Sequence, residues 1–146
     1  MKNKGAIMEY SRERLDDLMR VYDEYISSCK HIRMPEVYSK IVEMPARRFW
    51  VSDIRAALVI SAMMRGETHK MQPLKKEMYE EIYKRVLELR DSRPTLTISQ
   101  LCAIVIAQPA PKFYLTAGSA KIMICKARKE WTKKKLARLL RLQSQR

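Results

Sequence analysis

Glycine occurs only three times in 146 residues. So few disfavour a turn-rich all-β fold and leave no Gly-rich loop to cradle a phosphate. No apolar run approaches the roughly 18 residues that a membrane span needs, so no span is expected. The opening stretch Met1–Ile7 has basic residues but no apolar centre, and no signal peptide is expected from it. Cysteine is scarce too. Cys29, Cys102 and Cys125 are odd in number, widely spaced and form no C-x-x-C pair. That pattern predicts reduced thiols and a cytoplasmic address rather than a disulfide framework. All three fall at apolar helical positions, where inert thiols are usual. Histidine is limited to His31 and His69, and neither has neighbours spaced to complete a metal site. No enzyme chemistry, metal or cofactor is expected.

Acidic residues are missing from one end. Between Lys112 and Arg146 there are eleven basic residues against Glu130 alone, so this quarter carries +10 of the chain's +14. A one-sided basic end predicts a polyanionic partner. Nucleic acid is the first choice, DNA before RNA. The other reading of the same charge is a solvated tail.

What the chain does have is a match to itself. Slid along itself without a gap until Pro45 meets Pro109, it places Pro45-Ala46-Arg47-Arg48-Phe49-Trp50-Val51-Ser52 over Pro109-Ala110-Pro111-Lys112-Phe113-Tyr114-Leu115-Thr116. In the same register Ala56, Leu58, Val59 and Ile60 lie over Ala120, Ile122, Met123 and Ile124. Leu15, Leu18, Met19 and Tyr22 lie over Tyr79, Ile82, Tyr83 and Val86. Several blocks in one register predict an internal duplication.

Each unit reads as three helices. The first is expected over about 10–30, where Leu15, Leu18, Met19, Tyr22, Ile26 and Cys29 repeat at helical spacing, and again over 73–90. A short second helix is expected over 35–43 and 99–108, each closed by a proline just beyond. The third begins at the N-cap residues Ser52 and Thr116, and Gly66 suits the residue just past the end of its first copy. Between the second and third helices, 47–51 and 111–115 alternate with period two. Phe49 and Val51 point one way and Arg48 and Trp50 the other. Phe113 and Leu115 likewise oppose Lys112 and Tyr114. Alternation with aromatics predicts short extended segments that either pair as a ribbon or serve as linkers anchored by Phe49 and Phe113.

The expected fold is therefore mainly α: two fused three-helix repeats of period 64 with at most a short two-stranded β-ribbon. The divisions are a tail over 1–9, repeats over 10–66 and 67–131, and a basic amphipathic tail over 132–146. About eight residues separate the last two helices of a unit, too many for a strict helix-turn-helix. The order strand–helix–helix over 47–51, 52–65 and 73–90, with Glu81-Ile82-Tyr83-Lys84-Arg85-Val86 on the second helix, resembles ribbon-helix-helix regulators. That resemblance implies a ribbon in the major groove with Arg48, Trp50, Lys112 and Tyr114 outward. The repeated Pro-Ala-x-x-Phe-aromatic element is similar to that of small uncharacterised basic proteins of bacterial phages and mobile elements, a likeness that implies no activity.

The candidate nucleic-acid-binding residues are Arg48, Lys112, Lys121, Lys126, Arg128, Lys129, Lys133, Lys134, Lys135, Arg138 and Arg141. The equivalents of Lys121, Lys126, Arg128 and Lys129 in the first unit are Ala57, Ala62, Met64 and Arg65, so the first copy of the helix is expected to be buried. Ala120, Met123, Ile124, Ala127 and Trp131 form one stripe, which predicts that Trp131 caps the core. Beyond it that face becomes Lys134, Arg138 and Arg141, with Leu136, Leu139 and Leu140 opposite. The helix is expected to break near Thr132 or to pack its tail elsewhere. Such a tail suits a nucleic-acid arm, a homo-oligomer contact or, least well, a membrane-surface helix. The expected function is a non-enzymatic nucleic-acid-binding accessory or regulatory protein. The alternative is a structural or adaptor protein whose basic end docks on an acidic protein.

Overall fold

A computed structural model describes residues 4–67 and 70–145, with side chains from Tyr10 onward. His69 and Arg146 lie outside the described residues. The molecule is mainly α-helical. Six helices follow one another: α1 (Lys4–Ser28), α2 (Met34–Ile41), α3 (Asp53–Met64), α4 (Pro73–Ser92), α5 (Ile98–Ile106) and α6 (Ala117–Ser144). None of them is long and apolar enough to cross a membrane.

Local chemistry explains most of the boundaries. Ser52 and Thr116 accept hydrogen bonds from the backbone N–H groups of Arg55 and Ser119, satisfying donors that the first helical turn leaves free. Thr97 and Gln100 cap α5 reciprocally, side chain to backbone in both directions. At the end of α3, Gly66 takes a left-handed φ of 76°. From there Gly66 N–H donates to the Met63 carbonyl and Glu67 N–H to that of Ala62, at 3.0 Å each. Helix α1 begins at Lys4, ahead of the apolar periodicity that starts near Tyr10.

The helices pack in an exchanged pattern. α1 and α2 pack on each other and both receive α6, while α4 and α5 pack on each other and both receive α3. Among the described residues α3 makes no packing contact with α1 or α2, the helices that precede it in the chain. The connections 42–52 and 107–116 therefore cross between the two helix groups. They meet where Ala46 and Ala110 exchange two backbone hydrogen bonds of 3.0 Å as one antiparallel bridge. On either side Phe49 N–H donates to the Ile106 carbonyl and Phe113 N–H to that of Val42, again at 3.0 Å. In the sequence register that lays Pro45 over Pro109, Ala46 matches Ala110, Phe49 matches Phe113 and Val42 matches Ile106. Phe49 and Phe113 are buried in the single core, which runs through the crossing.

No ribbon forms among the described residues, so of the two alternatives for 47–51 and 111–115 the paired one is not seen. The reason is competition for hydrogen bonds. Phe49 and Phe113 donate to the last carbonyls of α5 and of the α2 terminus, groups a helix end leaves unsatisfied. The acceptors are also taken. Arg48 Nε donates to the Phe49 carbonyl at 3.2 Å and Arg48 Nη2 to that of Val51 at 3.1 Å. Val51 N–H turns back to the Phe49 carbonyl, and Tyr114 has a φ of 57°, which interrupts the second extended run. The segments are linkers anchored by their phenylalanines.

Each crossing is clamped to one long helix, the first to α1 and the second to α4. Asp17 on α1 is almost fully buried and accepts from Trp50 Nε1 at 2.9 Å, from the Arg47 backbone N–H at 2.8 Å and from Arg20 at 2.7 Å. On α4, Arg85 donates to the Pro109 carbonyl at 2.9 Å and lies over the Phe49 ring, 4.9 Å from its centroid.

Candidate nucleic-acid interface

Helix α6 has a docked half and a free half. Ala120 and Ile124 are its buried residues, seated on α1 and α2. Around them Tyr38 Oη lies 3.9 Å from Cys125 Sγ, and Arg128 Nη1 donates to Tyr22 Oη at 3.2 Å. Burial pushes the Tyr38 hydroxyl pKa up, and the Cys125 contact adds to it. From Arg128 to Gln145 every residue is exposed. At about 1.5 Å of rise per residue, the helix beyond Arg128 stands clear of the body for about 22 Å. It neither breaks at Thr132 nor packs its tail, which corrects both expectations. Lys, Arg, Leu and Ala are good helix formers, and the docked half spares the free half the cost of nucleation.

Trp131 does not cap the core. It is 64% exposed, and Lys135 Nζ lies 5.0 Å from its ring centroid. The apolar stripe that begins at Ala120 loses its partner helices after Ala127. Leu136, Leu139, Leu140 and Leu142 are likewise exposed. α3 is also less covered than its sequence implies, since Ile54 and Leu58 on its outer side are 76% and 62% exposed.

The expected site residues divide into two sets. Lys121, Lys126, Arg128, Lys129, Lys133, Lys134, Lys135, Arg138 and Arg141 all lie on α6 and all are exposed. Among the described residues none of them takes part in a salt bridge. Every ion pair among those residues falls earlier in the chain: Asp17 with Arg20 and Arg47, Glu24 with Arg20, Glu36 with Arg33, Glu67 with Arg65, Glu81 with Arg85, and Lys112 with Glu43 and Glu77. Arg48 and Lys112 form the second set, held against the body rather than on α6. Arg48 is held by two carbonyls, lies over the Trp50 ring, and lines a hollow with Glu13 and Asp16. Lys112 Nζ sits 2.7 Å from Glu77 and 3.9 Å from Glu43, and the hydrogen bond from Lys112 to Glu77 raises the lysine's pKa. Trp50, expected outward on a ribbon, donates to buried Asp17 instead.

Along the free half, Trp131, Lys134, Lys135, Arg138, Arg141 and Leu142 recur at helical spacing and share one face. Trp131, Lys134, Lys135 and Arg138 line one open hollow on it, and Lys134, Arg138, Arg141, Leu142 and Gln145 line the next. Leu136, Leu139 and Leu140 lie on the other side. The sequence carried a signal for this arrangement. The stripe that holds Trp131 continues into Lys134 and Arg138, and a face that turns cationic within a helical turn has left the core. No group of three or more His, Cys, Asp or Glu residues among those described converges as metal ligands. No protein-family model, curated protein or solved structure matches this chain.

Proposed function

We propose that this is a non-enzymatic protein that binds nucleic acid through the projecting cationic helix α6. One observation carries the reading. Among the described residues the body's ion pairs all precede α6, while α6 holds nine basic residues against Glu130 with no salt bridge. Like charges at i, i+3 and i, i+4, such as Lys134–Arg138 and Arg138–Arg141, repel within the helix by about 0.2–0.5 kcal/mol per pair. A polyanion removes that repulsion and gains by releasing its own counterions. The helix is free on all sides over its last turns, so a phosphate backbone meets no obstruction from the body.

We further propose that the body consists of two fused copies of a three-helix unit. The reading is supported by the hydrogen bonds at the crossing, each matched by one at the equivalent position of the other unit. It is supported as well by α2 and α5, which begin at the equivalent positions Met34 and Ile98. Three unpaired cysteines suit the cytoplasmic address expected from the sequence. The exposed leucines of α6 favour the second reading, a basic helix docking on an acidic protein, because phosphate binding makes no use of Leu136, Leu139 or Leu140.

A salt titration tests the first reading. With about five of the nine cations on phosphates, log K should fall against log salt with a slope of about −4.5 on duplex DNA. Binding should weaken about 500-fold between about 50 and about 200 mM salt. A slope near zero, or no binding to any nucleic acid, rejects it. Tight association with an acidic protein alone then favours the second.

A further inference from the structure

The two tryptophans of this chain have opposite surroundings. Trp50 is engaged on every side: its Nε1 bonds Asp17 at 2.9 Å, the Tyr10 ring meets it edge-on at 5.7 Å, and Arg48 lies 5.2 Å from its centroid. Trp131 projects from a helix that has left its packing partners behind. It has no aromatic neighbour among the described residues, and its one ring contact there is the Lys135 ammonium at 5.0 Å. A large apolar ring left in water forgoes the burial that normally stabilises a tryptophan. It also sits in the middle of a cationic face, with Lys134, Lys135 and Arg138 lining the hollow beside it.

A flat exposed ring among cations offers two kinds of contact. The cations attract phosphate on any nucleic acid. The ring attracts the face of a base, which is accessible only where the base is unpaired, because in a duplex each face is covered by its neighbours in the stack. The strand's two chemical features, charged backbone and flat base, therefore find partners on one helix turn. We infer that the Trp131–Lys134–Lys135–Arg138 face takes a single-stranded nucleic-acid segment, with one base stacked on the Trp131 indole and the flanking phosphates on the three cations. This rests on the nucleic-acid reading of α6 and names the form of nucleic acid it prefers.

The test uses the full-length chain, labelled oligo-dT and oligo-rU, and a duplex of the same length. W131A should weaken oligonucleotide binding about 5- to 150-fold, the range for loss of one base–aromatic stack. Its salt slope should be unchanged and its duplex affinity should stay within about twofold. W131F, which keeps a ring, should recover most of the loss. Binding should quench tryptophan fluorescence in the wild type but not in W131F, where only Trp50 remains. The loss on oligo-dT, oligo-rU or both supports the inference, and the strand affected names the nucleic acid. Salt-dependent binding that W131A leaves unchanged, or a loss equal on single strand and duplex, overturns the stacking while leaving the phosphate reading intact. Absence of salt-dependent binding to all probes overturns both.

Discussion

Cys102 lies on α5 with its side chain fully buried, and burial, with a smaller contribution from Asp53, pushes its thiol pKa up to about 11. A group whose pKa is higher in the folded protein keeps its proton there while the unfolded chain loses its own. The resulting stability is fully present below the unfolded value, about 8.5, and is lost as pH rises toward about 11. Tyr10 and Tyr114, both pushed up to about 12 mainly by burial, act in the same sense at higher pH. The unfolded tyrosine hydroxyls begin to ionise by about pH 10, so it is the difference between wild type and Cys102→Ala, followed by chemical denaturation between about pH 9 and about pH 10, that isolates the thiol. The wild type should lose stability relative to Cys102→Ala there with a slope approaching about 1.4 kcal/mol per pH unit. Cys102→Ala should be less stable overall but flatter across the same window. Parallel profiles would mean that Cys102 ionises as freely in the folded protein as in the unfolded chain. The helical position of Cys102 is legible in the sequence; its complete burial required the packed chain.

At the scale of elements, α6 matters because half of it has no structural duty. Its last buried residue is Ile124, and from Arg128 onward it is exposed. Deleting 132–146 removes Lys133, Lys134, Lys135, Arg138, Arg141 and Arg146 without touching the core. The truncated chain should melt close to wild type, and its salt slope on duplex DNA should flatten by several units. A severe drop in melting temperature would show that the leucines of the tail stabilise the fold through self-association. An unchanged slope would transfer the phosphate contacts to Lys121, Lys126, Arg128 and Lys129. Element ends illustrate what local sequence reveals. Ser52, Thr116, Gly66 and Pro73 mark their boundaries as their chemistry requires. The start of α5 was expected at Ser99, although Thr97-Ile98-Ser99-Gln100 already spells the capping box that sets it earlier, at Ile98.

For the whole molecule, the exchanged packing has a mechanical consequence. α3 is covalently joined to α1 and α2 but packs on α4 and α5, while α6 follows α5 and packs on α1 and α2. Cutting the chain between Gly66 and Gln72, at an inserted protease site, leaves each fragment with its third helix buried in the other. The two fragments should co-elute on size exclusion in native buffer and part only in denaturant. Fragments that separate without denaturant would show that the halves fold independently. The same arrangement places Phe49 and Phe113 in one continuous core rather than in two.

Apolar spacing, capping residues and the distribution of charge are properties of the chain by itself. They determined that this protein is helical, where most of its helices begin, that its motifs recur in one fixed register, and that its cations gather at one end. Periodicity marks which face of a helix is buried but not what buries it, so the exchange of α3 and α6 between halves was decided only in the tertiary structure. The same holds for the crossing segments. Their alternation is real, since Phe49, Val51 and Phe113 are buried. Whether they pair depends on which acceptors lie near their N–H groups, and the carbonyls at the ends of α5 and α2 came closer than a partner strand. Lys112 and Arg48 read as free cations until Glu77, Glu43 and two backbone carbonyls are brought against them by folding. Trp131 reads as core because it continues a stripe, and it is exposed because α6 outruns the two helices that the stripe packs on.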